Sequence, residues 1–382
     1  MRYLAVCLVI LFTQLSVLAV GNTGIDNSLK LEAATSATKA AKFLLSKQNK
    51  DGSWGGFGGN PAYTSLAITS LLVSPVGQKE DVKASLEKAV TYILTHTQPN
   101  GSITFKGDRA YANYTTSLSI VALFAMDAKK HEKQILKGRN FIKSSQFGPE
   151  SGSEAGGIGY GSNKSKSDMS NTQYALEALY ITESVETEKA TLEDQKKSRE
   201  TWERALEFMT RCQANADVNK EAWVKKSPKE DKGGFIYSPD RSKVKVKDDS
   251  LRVYGSMTYA GLKSMIYARL QKDDPRISSC IEWISKNYTL EENPGVGLQG
   301  HYYYFHTFAK ALDVYGDDEI KVTGGKSVFW RADLVTKLIN VQEADGSWVN
   351  TVGRWQEKDA VLCTTYALTS MMYALSKEDL NK

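Results

Sequence analysis

Few side chains in this sequence could carry acid–base, nucleophilic or metal chemistry near neutral pH: its 382 residues include four histidines and four cysteines. His306 stands out. It lies in the run Tyr302-Tyr303-Tyr304-Phe305-His306-Thr307. An imidazole among aromatic rings could act as a general base, or simply pack with one hydrogen bond. Cys363 precedes Thr364 just as His306 precedes Thr307, and Asp359 lies shortly before that cysteine. His306, Cys363 and Asp359 together offer three ligand types for a transition metal; no other cofactor is expected. Asp168 opens the segment Asp168-Met169-Ser170-Asn171-Thr172 and is the remaining carboxylate of interest. Asp248 and Asp249 sit in a lysine-rich stretch that reads as a solvated turn. No phosphate-binding glycine loop, nucleophile elbow or paired-histidine zinc motif is evident.

These residues gain meaning from the elements that must position them. The heptapeptide from Gln48 through Asp51 and Gly52 to Trp54 returns nearly unchanged from Gln342 through Asp345 and Gly346 to Trp348. Asp-Gly supplies a turn that tolerates positive φ, with a glutamine ahead and an apolar plate behind. The duplication points to a repeat protein. Leu44/Gln48, Leu94/Gln98, Ile142/Gln146, Met209/Gln213 and Leu338/Gln342 mark helix ends before glycine-rich turns, and Ile284/Tyr288 marks a unit that has lost its glutamine. A second helix follows in each unit. Thr64, Thr116, Thr172, Thr258, Thr307 and Thr364 are each followed seven places later by an apolar residue. Small residues lie three places on in five of the six units, which permits close helix approach. The threonines themselves read as N-terminal caps. Six helix pairs predict an all-α protein that could be an open solenoid or a closed ring; six pairs are enough to close, which favours an (α/α)6 toroid with a double ring of helices. Trp54 and Trp348 are expected to pack in the outer wall rather than touch a ligand.

The positions just before the threonines should line the central cavity. Tyr63, Tyr114, Ser170, Asn171, Met257, Tyr303, Phe305 and His306 are therefore the candidate ligand-binding residues, and His306, Asp168 and Cys363 the candidate catalytic ones. A mostly neutral wall rich in aromatic faces suits an apolar ligand or a transient cation, or the aromatics simply fill the ring.

The Gln-x-x-Asp-Gly-Ser-Trp units resemble the QW motif of squalene and oxidosqualene cyclases. From about Thr38 to Leu375 the wider pattern resembles the prenyltransferase and squalene-cyclase repeat superfamily. That resemblance implies a ring of inner helices whose starts carry the catalytic groups. Squalene cyclases protonate an alkene with an Asp-x-Asp-Asp-Thr motif. Here Asp168 matches the first aspartate, but Ser170 holds the proton-donor position and Asn171 replaces the last. A serine hydroxyl is far too weak an acid, so protonation-initiated cyclisation is not expected. Phe305-His306-Thr307-Phe308 resembles the segment carrying the zinc histidine of protein prenyltransferases. The other two ligand positions hold Gly255 and Met257, so that zinc triad is not expected either.

The resemblance thus implies a toroid that binds an isoprenoid or other apolar ligand, with any activity on it unassigned. The alternatives are a non-catalytic binding or scaffold module and a carbohydrate-active (α/α)6 enzyme. The last needs carboxylates paired across a cleft, for which only Asp168 and Asp359 are available.

The net charge of +5 is too mild to imply nucleic acid. The expected partner is an apolar small molecule or lipid, with peripheral membrane contact open. Arg2 and the apolar run from Leu4 to Val20 read as an export signal spanning residues 1–21, or as an uncleaved anchor. The rest, 22–382, reads as one toroid, exported to a periplasmic or extracellular location. Cys212, Cys280 and Cys363 would remain after cleavage, an odd set that makes no disulfide framework.

Overall fold

A computed structural model describes residues 23–375, apart from 57–58, 106–109, 162–165, 188–189 and 248–249. The export signal and Asp248–Asp249 lie outside the described residues. Among them, twelve main helices alternate between an outer and an inner ring. The outer helices are α1 (Asn27–Ser46), α3 (Glu80–Thr95), α5 (Glu132–Ser144), α7 (Leu192–Cys212), α9 (Pro275–Asn287) and α11 (Trp330–Asn340). The inner helices are α2 (Pro61–Val73), α4 (Ala112–Asp127), α6 (Met169–Ile181), α8 (Gly255–Tyr267), α10 (His301–Tyr315) and α12 (Ala360–Ala374). A short antiparallel hairpin, β1 (Glu319–Lys321) and β2 (Ser327–Phe329), links α10 to α11.

Sequence pattern separates the rings. Outer helices bury one stripe: α7 covers Thr201, Ala205, Phe208, Met209 and Cys212 and leaves its other face charged. Inner helices are buried all round, without a break from Gly255 to Met265 in α8 and from Leu362 to Met372 in α12. Each inner helix packs on the next, α2 to α4 to α6 to α8 to α10 to α12, and α12 packs back on α2. The ring is closed.

The repeated turn is the joint between units. Asp51 and Asp345 accept hydrogen bonds from the backbone N–H and the hydroxyl of the serine two places on. Gly52 and Gly346, at φ of 89° and 90°, press against the backbone of the neighbouring outer helix at Lys88 and Lys39, where a Cβ would stand 2.6–2.7 Å from carbonyl carbon. The Gln48 amide donates to Gly52 O in its own turn and to Ser85 O on α3. Gln342 does the same to Gly346 O and to Ser36 O on α1, which seals the last unit to the first. Trp54 and Trp348 are fully buried, their indole N–H groups donating to Leu44 O at 2.6 Å and Leu338 O at 2.9 Å. They pack in the wall, as their sequence context implies.

The threonines are not caps. Thr64, Thr172 and Thr258 sit in the first turn of their helices, and their hydroxyls accept the backbone N–H of Trp54, Ile158 and Phe235 at 2.9–3.1 Å. Thr116 and Thr364 accept those of Ile103 and Trp348 in the same way. Each threonine therefore ties an inner helix to the turn that leads into it. The caps are Asn60, Asp168 and Asp359, a few residues upstream.

Thr307 is the exception. Helix α10 begins at His301, so Tyr304 holds the place that Thr64 holds in α2, and its hydroxyl donates to Thr289 O at 2.8 Å. Among the described residues the Thr307 hydroxyl bonds just the Tyr303 and Tyr304 carbonyls of its own helix, and Val314, seven places on, is merely half-buried. The fifth unit is shifted by nearly one helical turn.

Candidate functional site

The inner-helix starts are held by capping groups. The Asp168 carboxylate accepts from Asn171 N at 2.8 Å and from the Asn171 side-chain amide at 2.9 Å and 3.1 Å. Burial pushes this carboxyl up to about 6, with hydrogen bonds from Asn171 and Tyr237 offsetting part of the effect. Asp359 accepts from Val361 N and Leu362 N. Two inner helices without a cap of their own take one from the next unit's loop. Asn293 accepts from Ser256 N, and the buried Glu357 carboxylate accepts from Tyr302 N and Tyr303 N at 3.2 Å and 2.8 Å. Glu357 and Asn293 carried no periodic signal.

His306, Cys363 and Asp359 do not converge on a metal position. The Cys363 thiol lies 3.1 Å from Glu357 O, Asp359 caps α12, and His306 faces another neighbourhood. Among the described residues no three His, Cys, Asp or Glu side chains stand close enough to hold a metal ion. Cys212, Cys280 and Cys363 are buried free thiols.

The candidate ligand-binding residues divide. Tyr63, Tyr114, Ser170 and Tyr303 are half-buried, whereas Asn171, Met257, Phe305 and His306 are buried. Phe305 packs on His301, with ring centroids 4.2 Å apart, on the side that meets the preceding loop. Tyr114 meets Tyr366, hydroxyl to hydroxyl, at 3.2 Å; Tyr174 meets it at 3.5 Å; Ser170 bonds the Tyr303 hydroxyl at 3.0 Å. Four inner helices thus join in a partition of tyrosines across the ring.

The register shift in α10 carries His306 deeper than its sequence context implies. It stands beside Tyr366, with ring centroids 5.0 Å apart, and neither ring nitrogen has a hydrogen-bond partner. Burial, with Lys310 and Lys263 nearby, holds its pKa well below the usual histidine range. These surroundings favour the neutral imidazole.

Beyond the partition, toward the C-terminal ends of the inner helices, the axis opens into a pocket. Leu66, Leu72, Val73, Leu118, Val121, Ala125 and Ile181 make half of its lining, with Thr69, Ser117, Thr369 and Tyr373 between them. Tyr174 lies at the inner end, and Glu177 and Lys310 line one side. This stripe lies on the side of each helix opposite its threonine: Leu66, Leu118 and Tyr174 lie four places after Ala62, Tyr114 and Ser170, and Thr69, Val121 and Glu177 seven places after. Extending the period-3.6 face from Ala62, Tyr114 and Ser170, rather than from the threonines, would have found them.

Glu177, Lys263 and Lys310 form a buried charged cluster with relative exposures of 3%, 0% and 8%. The Lys310 ammonium donates to Glu177 Oε1 at 2.5 Å, and the Lys263 ammonium pairs with Glu177 Oε2. Burial pushes the Glu177 carboxyl up, but Lys263 and Lys310 outweigh it and hold the group below the usual range. Lys263 is lowered to about 8, by burial first and then by Lys310, with Glu177 acting against both.

No protein-family model matches the chain, and no curated protein matches it. Solved structures do. Type II terpene cyclase MstE from Scytonema, with its product merosterolic acid A, superposes with a TM-score of 0.56 at 13% identity, covering 92% of this chain and 99% of that one. The same enzyme with its substrate geranylgeranyl dihydroxybenzoate gives 0.55 at 13% identity, over 92% and 99%. The α-1,6-mannanase GH76A of Salegentibacter, an inactive variant with α-1,6-mannotriose, gives 0.58 at 9% identity, over 90% and 98%. The chain is therefore an α/α toroid, with the fold that a type II terpene cyclase shares with a mannanase.

Proposed function

We propose that this protein is an exported toroid that binds an isoprenoid or other apolar molecule in its axial cavity and does not cyclise it by protonation. The observation that carries this reading is the cavity itself, set within a closed ring and apolar along its α2 and α4 sides, where Leu66, Leu72, Val73, Leu118 and Val121 line it. Burying hydrocarbon there is favourable by about 25 cal/mol per Å² removed from water. The MstE structures hold a prenylated substrate and a terpenoid product in the same fold. Cyclisation by protonation is disfavoured because Asp168 caps α6 and Ser170 is bonded to Tyr303. The carbohydrate reading draws no support from Asp168 and Asp359, since both serve as helix caps.

Native mass spectrometry with lipid extraction on secreted protein tests the binding claim. An apolar small molecule should co-purify, or farnesol should bind the delipidated protein, and Leu118→Trp should abolish uptake. Protein that co-purifies nothing and takes up no isoprenoid alcohol would refute it. A polycyclic product from squalene would overturn the claim about chemistry. An N-terminus at residue 22 in the secreted protein is the outcome expected for export.

A further inference from the structure

The cavity is two-sided. Its α2 and α4 walls are mainly apolar, broken by Thr69 and Ser117, while the α6 and α10 side carries Glu177 and Lys310, with Lys263 of α8 behind them. One carboxylate faces two ammonium groups, so the cluster has an unbalanced positive charge inside a low-dielectric ring. The next carboxylate along α10, Asp313, is engaged by Arg331 at 2.9 Å, and Arg331 also holds Asp318. An ammonium carries three N–H donors. Glu177 is the one hydrogen-bond acceptor that Lys263 or Lys310 meets among the described residues. His306, one turn before Lys310 on α10 and 1% exposed, has both ring nitrogens unpartnered. Buried donors and an unbalanced buried charge are costly unless something pairs with them. An anion at this wall would supply both the charge and the acceptors.

We propose that the Glu177–Lys263–Lys310 cluster receives the carboxylate of a long-chain or isoprenoid acid, whose hydrocarbon lies against the apolar side of the cavity. This rests on the reading of the cavity as an apolar-ligand site and specifies the head group. The head group is a monoanion, because the cluster lacks one negative charge; a diphosphate would overload it. Lys310 lines the cavity and makes the direct contact, whereas Lys263 is fully buried behind it and sets the field.

The test compares farnesoic acid, farnesol and farnesyl diphosphate binding to delipidated protein at pH 7 by calorimetry. The acid should bind roughly ten- to a hundredfold more tightly than the alcohol, the worth of a hydrogen bond to a charged group. It should also bind more tightly than the diphosphate. Lys310→Met should erase the acid's advantage while leaving farnesol affinity within about twofold, a comparison in which retained farnesol binding reports an intact fold. Equal binding of acid and alcohol by the unaltered protein would overturn the head-group assignment and leave the apolar-cavity reading standing. Tighter binding of the diphosphate would overturn it as well. Failure of all three to bind would remove the cavity reading and this one with it.

Discussion

Asp168 shows how one residue type at one position can point to the wrong chemistry. Its place in an Asp-x-Ser-Asn-Thr segment resembles a catalytic acid, yet its oxygens hold the first turn of α6. Its carboxyl is raised from 3.8 to about 6, chiefly by burial. A carboxyl raised on folding contributes most below its unfolded pKa and loses that contribution as pH rises through the folded one. The stability of the native chain relative to Asp168→Asn should therefore fall between pH 3.8 and about 6, by something on the order of 3 kcal/mol. Urea denaturation of both proteins across that range checks it, and a difference independent of pH would refute it. The aspartate was legible as important but not as a cap, because capping depends on where a helix begins, and a sequence locates helix ends poorly.

At the scale of elements, the threonine register was visible as periodicity, while its role was not. A hydroxyl in the first turn of an inner helix accepts a backbone N–H from the turn before it, in five units of six. Thr364→Val should leave the Trp348 N–H buried without an acceptor and cost about 1–3 kcal/mol. Thr307→Val, in the shifted unit, should cost under about 1 kcal/mol, since it forfeits bonds within its own helix alone. Thermal and urea unfolding of the two variants decide the matter; equal losses would mean that the shift in α10 is not real. That shift also explains why His306, expected at the start of its inner helix, lies one turn inside it, beside Tyr366. An earlier helix start moves every later side chain along the axis, which no local pattern reports.

At the scale of the whole molecule, closure joins groups far apart in the chain. Gln342 reaches Ser36 across 306 positions, and Gly346 leans on Lys39. Among the described residues, the Gln98 side chain bonds His96 O and Thr104 O of its own turn. Gln342→Ala should therefore cost more stability than Gln98→Ala, and should speed amide exchange in both α1 and α11 while sparing α5. Protection lost in α11 alone, with α1 unchanged, would argue that the seam does not hold the ring. The barrel was legible early because six repeats of one helix pair bury their inner faces only by stacking on one another.

The sequence by itself determined the alternation of two helix kinds, the turns between them and thus the double ring, since hydrophobic period and glycine turns are local properties. Only the tertiary structure decided what stands inside. Glu177, Lys263 and Lys310 come from α6, α8 and α10, and nothing local in those helices marks them as partners. A charge buried in one helix has meaning through the charges that neighbouring helices turn toward it, and that depends on registers across the ring.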